Sequence, residues 1–208
     1  YRKSGRPYEA IDLLEATIAD LTRFLGPTDP HTLVAQDNLA GGYLEADRVS
    51  EAVSVLETIT GGFVRELGPD HPDTLVAQAN LGAALLRAGR LDEATGLLEE
   101  VVPSSARILG ADAPLTLMAD ANLANAYWQA DLQENSITRL ERVVSEQTRI
   151  LGADHPDTLN TTTNLAVAYG DAGRLSDAIA LCERVVSEKS RVLGEQHPST
   201  LGASGSLA

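Results

Sequence analysis

Between residues 27 and 68 the apolar positions follow a rhythm. Leu39, Ala40 and Tyr43 recur at steps of three and four behind Leu33, and Ala52, Leu56 and Ile59 repeat the spacing further on. Such steps line one face of an α-helix and leave the other faces polar. The pattern predicts two amphipathic helices, the first over roughly 30–46 and the second ending at Leu67-Gly68. A short turn, "EADRVS", separates them.

The pair is then copied along the chain. Leu-Gly falls at 25–26, 67–68, 109–110, 151–152 and 193–194, a step of 42 residues each time. Pro30, Pro72, Pro114, Pro156 and Pro198 keep the step, as do Asn38, Asn80, Asn122 and Asn164. A period held this long without insertions marks stacked repeats, in which only a neighbour covers each unit's apolar face. Stretches such as "LGPDHPDTL" and "LGADHPDTL" are the joints. Each has a glycine that stops one helix in a left-handed cap, a tight turn, and a capped start with proline in the first helical turn. Thr28, Asp70, Asp112 and Asp154, two positions before the proline, are the expected caps. Complete units span 27–68, 69–110, 111–152 and 153–194; residues 1–26 and 195–208 are partial units of the same single array, 1–208.

The stretch "NLAVAYGDAGRLSDAIALCERV" (164–185) resembles the tetratricopeptide repeat. The 42-residue length and the joint sequence are similar to the kinesin light chain subtype, also found in many bacterial proteins, so a bacterial source is expected. The resemblance implies an all-α, right-handed superhelical solenoid of antiparallel helix pairs. It also implies a concave groove, lined by the first helix of each pair, that binds peptide segments of partner proteins.

Composition narrows the partners. The formal net charge of −14 makes nucleic acid and anionic membrane poor candidates. No apolar run approaches the roughly 18 residues of a membrane span. A single cysteine, Cys182, excludes an internal disulfide framework and suits a reducing, cytoplasmic setting. It aligns with Leu56, Leu98 and Leu140 on a stripe expected to be buried and inert. His71, His155 and His197 each precede a proline at a joint, while His31 is out of register. Neighbouring units lie about 10 Å apart and zinc ligands need about 2.0–2.3 Å, so these histidines are read as structural. No phosphate loop, nucleophile–base pairing or metal motif appears, so no enzyme activity and no cofactor are expected.

At about 100° per residue, the first-helix face opposite the buried stripe carries the residues that the resemblance places in the groove. Val76, Leu86, Met118 and Trp128 are the expected apolar contacts, with Trp128 either a binding anchor or packed on an adjacent helix. Arg87, Asn125 and the ladder Asn38, Asn80, Asn122 and Asn164 are the expected polar ones, the ladder also being suited to tying first helices together. Arg87 is the only basic residue on this face, so an apolar or weakly basic partner fits better than an acidic one. The third unit departs most from its siblings, with Asp131 for Gly, Leu132 for Arg and Ser136 for Ala. Pro103 and Gly61-Gly62 are expected to alter helix curvature. The alternative to a peptide-binding module is a structural array that self-associates or spaces and regulates other domains of a larger signalling protein. Both partial units break inside a first helix, so head-to-tail stacking of two copies would nearly complete it.

Overall fold

A computed structural model describes residues 7–193. The expected joint at His197 and Pro198 and the partial unit 195–208 lie outside the described residues. The described residues form nine helices and no strand: α1 (Pro7–Leu25), α2 (Pro30–Glu45), α3 (Val49–Leu67), α4 (Pro72–Arg87), α5 (Leu91–Leu109), α6 (Pro114–Gln129), α7 (Gln133–Leu151), α8 (Pro156–Asp171) and α9 (Leu175–Leu193). First helices (α2, α4, α6, α8) alternate with second helices (α3, α5, α7, α9). α3 runs unbroken through Gly61-Gly62 and α5 through Pro103. The chain divides into two compact units, residues 1–119 and 120–208, with the division inside α6.

In the first unit α1 to α5 pack consecutively, each on the next. Leu33, Ala52, Leu56 and Ile59, periodic positions that predicted the helices, are buried there, and so are Leu75, Ala94, Leu98 and Val101, one repeat on. In the second unit α7 packs on α8 and α8 on α9. Its core gathers Ala124, Ile137, Leu140, Val144, Leu165, Ala168, Tyr169 and Ala178. Cys182 is only half-buried, unlike Leu56, Leu98 and Leu140 at the matching positions.

The joints differ in detail from the sequence expectation. Gly68 (φ 89°, ψ 164°), Gly110 (φ 107°, ψ 148°) and Gly152 (φ 98°, ψ 156°) are extended at positive φ, not left-handed helical. Glycine alone adopts that region readily. A residue before proline is pushed into extended backbone, so the N-cap lies directly before the proline rather than two positions before it. Asp29, His71 and His155 are the caps, each extended. The amide of His31 donates to Asp29 Oδ1 at 2.9 Å, and those of Asp73 and Asp157 donate to the Nδ1 atoms of His71 and His155 at 3.2 Å. Asp70 and Asp154, expected as caps, pair instead with Arg107 at 2.7 Å and Arg191 at 2.8 Å. The buried Thr32 and Thr116 hydroxyls donate to the Gly26 and Gly110 carbonyls at 2.9 Å.

The turn inside each pair is a second repeated device. In the second complete repeat, Arg90 N–H donates to Leu85 O and Gly89 N–H to Leu86 O. These two bonds close a helix end around one left-handed residue. Gly89 and Gly173 have φ of 72° and 75°, while Asp47 and Asp131 hold the same place at 59° and 62°. The next residue is an arginine in three repeats. Arg48 and Arg174 stack on the rings of Tyr43 and Tyr169, and each bonds an acid three residues on, Glu51 and Asp177.

Candidate functional site

The first helices present a row of apolar side chains to solvent. In the first unit Val34 on α2 is 58% exposed, Val76 on α4 40% and Met118 on α6 39%. These three stand at one repeat position and were chosen by no core requirement, since Leu33, Leu75 and Leu117 beside them are the buried ones. In the second unit Trp128 on α6 and Val167 on α8 are 40% and 42% exposed. Leu86, expected among the exposed contacts, is buried at 9%, so little of it can reach a partner. Arg87 is exposed and reaches Asp47 at 3.5 Å.

The polar residues of this face are already engaged. Asn38 donates to the Val34 carbonyl one turn back on its own helix at 3.0 Å. Asn80 on α4 donates to Asp37 Oδ1 on α2 at 2.9 Å. Asn164 on α8 donates to Asn125 Oδ1 on α6 at 3.3 Å. Two rungs of the ladder therefore tie adjacent first helices, through different acceptors; Asn122 is half-buried. Trp128 is similarly held, its indole N–H donating to Asp171 Oδ2 on α8 at 2.6 Å while much of the ring stays exposed. Position alone could not reveal that bond, because Asp171 belongs to the following repeat.

A notch of about 130 Å³ opens in the first unit between α2, α3 and α4. Leu33 and Phe63 form its buried floor, Val34 and Val76 its sides, and Asp37 and Asp73 its acidic edge. No signal in the sequence pointed to it, since Phe63 lies on a second helix, outside the face assigned to the groove.

The third repeat's departures also find a physical account. Asp120 on α6 is fully buried and bonded to Arg139 Nη1 and Arg142 Nη2 of α7, both at 2.5 Å. Where its siblings have arginine this repeat has Leu132, and Arg139 covers the Tyr127 ring instead, 5.4 Å from its centroid. Ser136 stands buried at the alanine position. Tyr169, largely buried and donating to Glu141 Oε1 at 2.6 Å, has its phenol pushed up to about 12, first by burial and then by that carboxylate. These groups brace neighbouring helices. Among the described residues no group of three or more His, Cys, Asp or Glu side chains is placed to hold a metal ion, and no helix is long and apolar enough to cross a membrane.

Comparison with known proteins agrees with the geometry. Tetratricopeptide-repeat profiles match residues 74–114 and 115–187. No curated protein sequence matches. Among solved structures, the putative kinesin light chain nearly identical TPR-like repeats of Podosopora anserina are 32% identical, covering 92% of this chain and 90% of that one, with a TM-score of 0.73. A point variant of those repeats, also 32% identical, covers 93% and 91% at a TM-score of 0.76. BtubC (BKLC) from P. vanneervenii is 19% identical, covers 97% and 81%, and shares the fold at a TM-score of 0.79. With helices in repeating pairs among the described residues and such identity over nine-tenths of both chains, the protein belongs to the tetratricopeptide-repeat family in its kinesin light chain-like form, a family of protein-interaction scaffolds.

Proposed function

We propose that the protein binds an extended peptide segment of a partner protein along the exposed face of its first helices. The observation that carries this reading is the row of apolar side chains left open at equivalent repeat positions, Val34, Val76 and Met118 in one unit. Exposed apolar side chains gathered on one face mark interaction surfaces, whereas single scattered ones do not. Val76, Met118 and the exposed ring of Trp128 supply apolar contact, and Leu86 adds little beyond support. Arg87, Asn125 and the ladder Asn38, Asn80, Asn122 and Asn164 supply polar contact, the ladder doing so mainly by fixing the helices that present it. Fixed helices lose little freedom on binding, which favours affinity. An apolar or weakly basic segment suits a chain of net charge −14 with one arginine on this face. A reducing, cytoplasmic setting fits its single cysteine.

The test is Trp128 fluorescence titrated with a pooled peptide library. Trp128 is the only tryptophan, so the signal reports one place. A saturable shift in the wild type, lost or weakened in Met118→Ala and Asn125→Ala proteins of unchanged helicity, is the expected result. The absence of any saturable response would overturn the reading. A second reading rests on the exposed apolar residues of α1 (Tyr8, Phe24) and α9 (Leu175, Ile179). It is a self-associating array that spaces other domains. Light scattering on the same samples separates the two, because only self-association makes mass grow with concentration when no peptide is present.

A further inference from the structure

We infer that the notch between α2, α3 and α4 receives one long basic side chain, lysine or arginine, of the bound peptide. This rests on the peptide-binding reading and names what that surface selects. The size argues for a side chain: about 130 Å³ falls well below the roughly 300–1,000 Å³ of small-molecule pockets. The walls argue for an aliphatic stem, since Leu33, Phe63, Val34 and Val76 offer only carbon to whatever enters. The edge argues for a cation. Asp37 spends one lone pair of Oδ1 on Asn80, and a carboxylate has about four such sites. Asp73 is exposed at the mouth, its side chain 64% accessible; its Oδ2 lies 3.7 Å from His71 Nδ1, which is itself taken up as acceptor of the Asp73 amide, and its other oxygen stands outside that contact. Among the described residues no lysine or arginine lines the notch. A stem on carbon with its charged head at the carboxylates is how long basic side chains settle on amphipathic surfaces.

The repeats themselves serve as the control. At the places of Phe63, Asp37 and Asp73, one repeat on, the chain has Ser105, Ala79 and Leu115; two repeats on it has Gln147, Ala121 and Asp157. An aromatic floor with two carboxylates is therefore no consequence of building the scaffold. The acid at Asp73 returns as Asp157, but Phe63 on α3 and Asp37 on α2 have no counterpart in either later repeat, so the full combination occurs once among these three.

The experiment selects random peptides from a display library on the full chain, then repeats the selection on Asp73→Asn, Asp37→Asn and the double variant. The amide introduced by Asp37→Asn can still accept from Asn80, and Asp73→Asn leaves that bond untouched, so folding is preserved. Asp131→Asn removes the same charge away from the notch and controls for net charge. The wild type is expected to enrich lysine or arginine at one peptide position. Replacing that residue by norleucine in a selected peptide is expected to weaken binding about tenfold, the scale of one charge-assisted contact. Val34 and Val76 methyl resonances shift with the basic peptide. The double variant loses the preference but still binds the norleucine peptide, and Asp131→Asn keeps the preference. Peptides selected without a basic position overturn this inference while leaving peptide binding intact. So does a preference that survives the double variant or falls equally in Asp131→Asn. Selection of no peptide at all overturns both.

Discussion

Asp131 holds a place that two sibling repeats give to glycine. Its φ of 62° lies in the left-handed region, where Gly89 and Gly173 sit at 72° and 75°. A side chain with a Cβ is penalised there, although aspartate less than most. Asp131 Oδ1 accepts from Gln133 at 3.3 Å in the open, which offsets little. Asp131→Gly should therefore raise stability by about 0.5–1 kcal/mol, the relief of the left-handed strain outweighing glycine's added freedom when unfolded. The urea midpoint of helix loss measures it, and a lower midpoint would show that the aspartate is held by something stronger than conformation. The sequence marked this position as a departure, and only the dihedral angle says why it matters. The caps show the limit from the other side. An acidic residue near the joint was legible, but proline's demand for an extended predecessor moved the cap to Asp29, His71 and His155. Asp70 and Asp154 were released to bind arginines of the second helix that follows, Arg107 and Arg191. Asp154 and Arg191 stand 37 positions apart, and no local rule reaches so far.

At the scale of the element, one substitution has opposite signs in neighbouring helices. Gly96 lies exposed on α5, and a Cβ there would meet nothing within 4 Å. Gly96→Ala should stabilise by about 0.5–1 kcal/mol through helix propensity alone. Gly82 lies buried in α4, where a Cβ would come within 2.8 Å of Leu98 Cγ and Cδ2. Overpacking of about 1–3 kcal/mol exceeds the propensity gain of about 1, so Gly82→Ala should lose about 1 kcal/mol. Chemical denaturation of both variants checks the pair, and equal shifts would mean that Leu98 moves aside freely. The helices were legible because a 42-residue period repeats the same apolar steps, and repetition averages out the ambiguity of any single window. What each helix does with an unusual residue was not. Asp120 replaces glutamine or threonine, and nothing in the periodicity says that Arg139 and Arg142 of α7 will converge on it. Nor does it say that Arg139 will take over the tyrosine ring that Leu132 cannot cover.

At the scale of the whole molecule, the net charge of −14 makes folding and binding respond oppositely to salt. Close ion pairs such as Arg48–Glu51 at 2.9 Å and Arg90–Glu93 at 2.6 Å act well inside any Debye length. At neutral pH both acids are charged, since hydrogen bonds from Arg48 and Arg90 hold Glu51 and Glu93 below their ordinary 4.5. That stabilisation is present above the ordinary value and is lost only as the pH falls below it. Repulsion among the surplus carboxylates is different, because it acts over longer separations. Raising ionic strength from about 0.01 M to about 0.15 M shortens the Debye length from about 30 Å to about 8 Å and removes much of that repulsion. The thermal midpoint at neutral pH should therefore rise with salt. Association with a basic peptide should slow and weaken over the same range, because the field that draws a cation to the surface is the one being screened. Calorimetric melting and stopped-flow binding, run on one salt series, test both signs together. A fold that weakens with salt would mean that local pairs outweigh the surplus charge. Binding that ignores salt would mean that the partner is recognised by apolar contact alone.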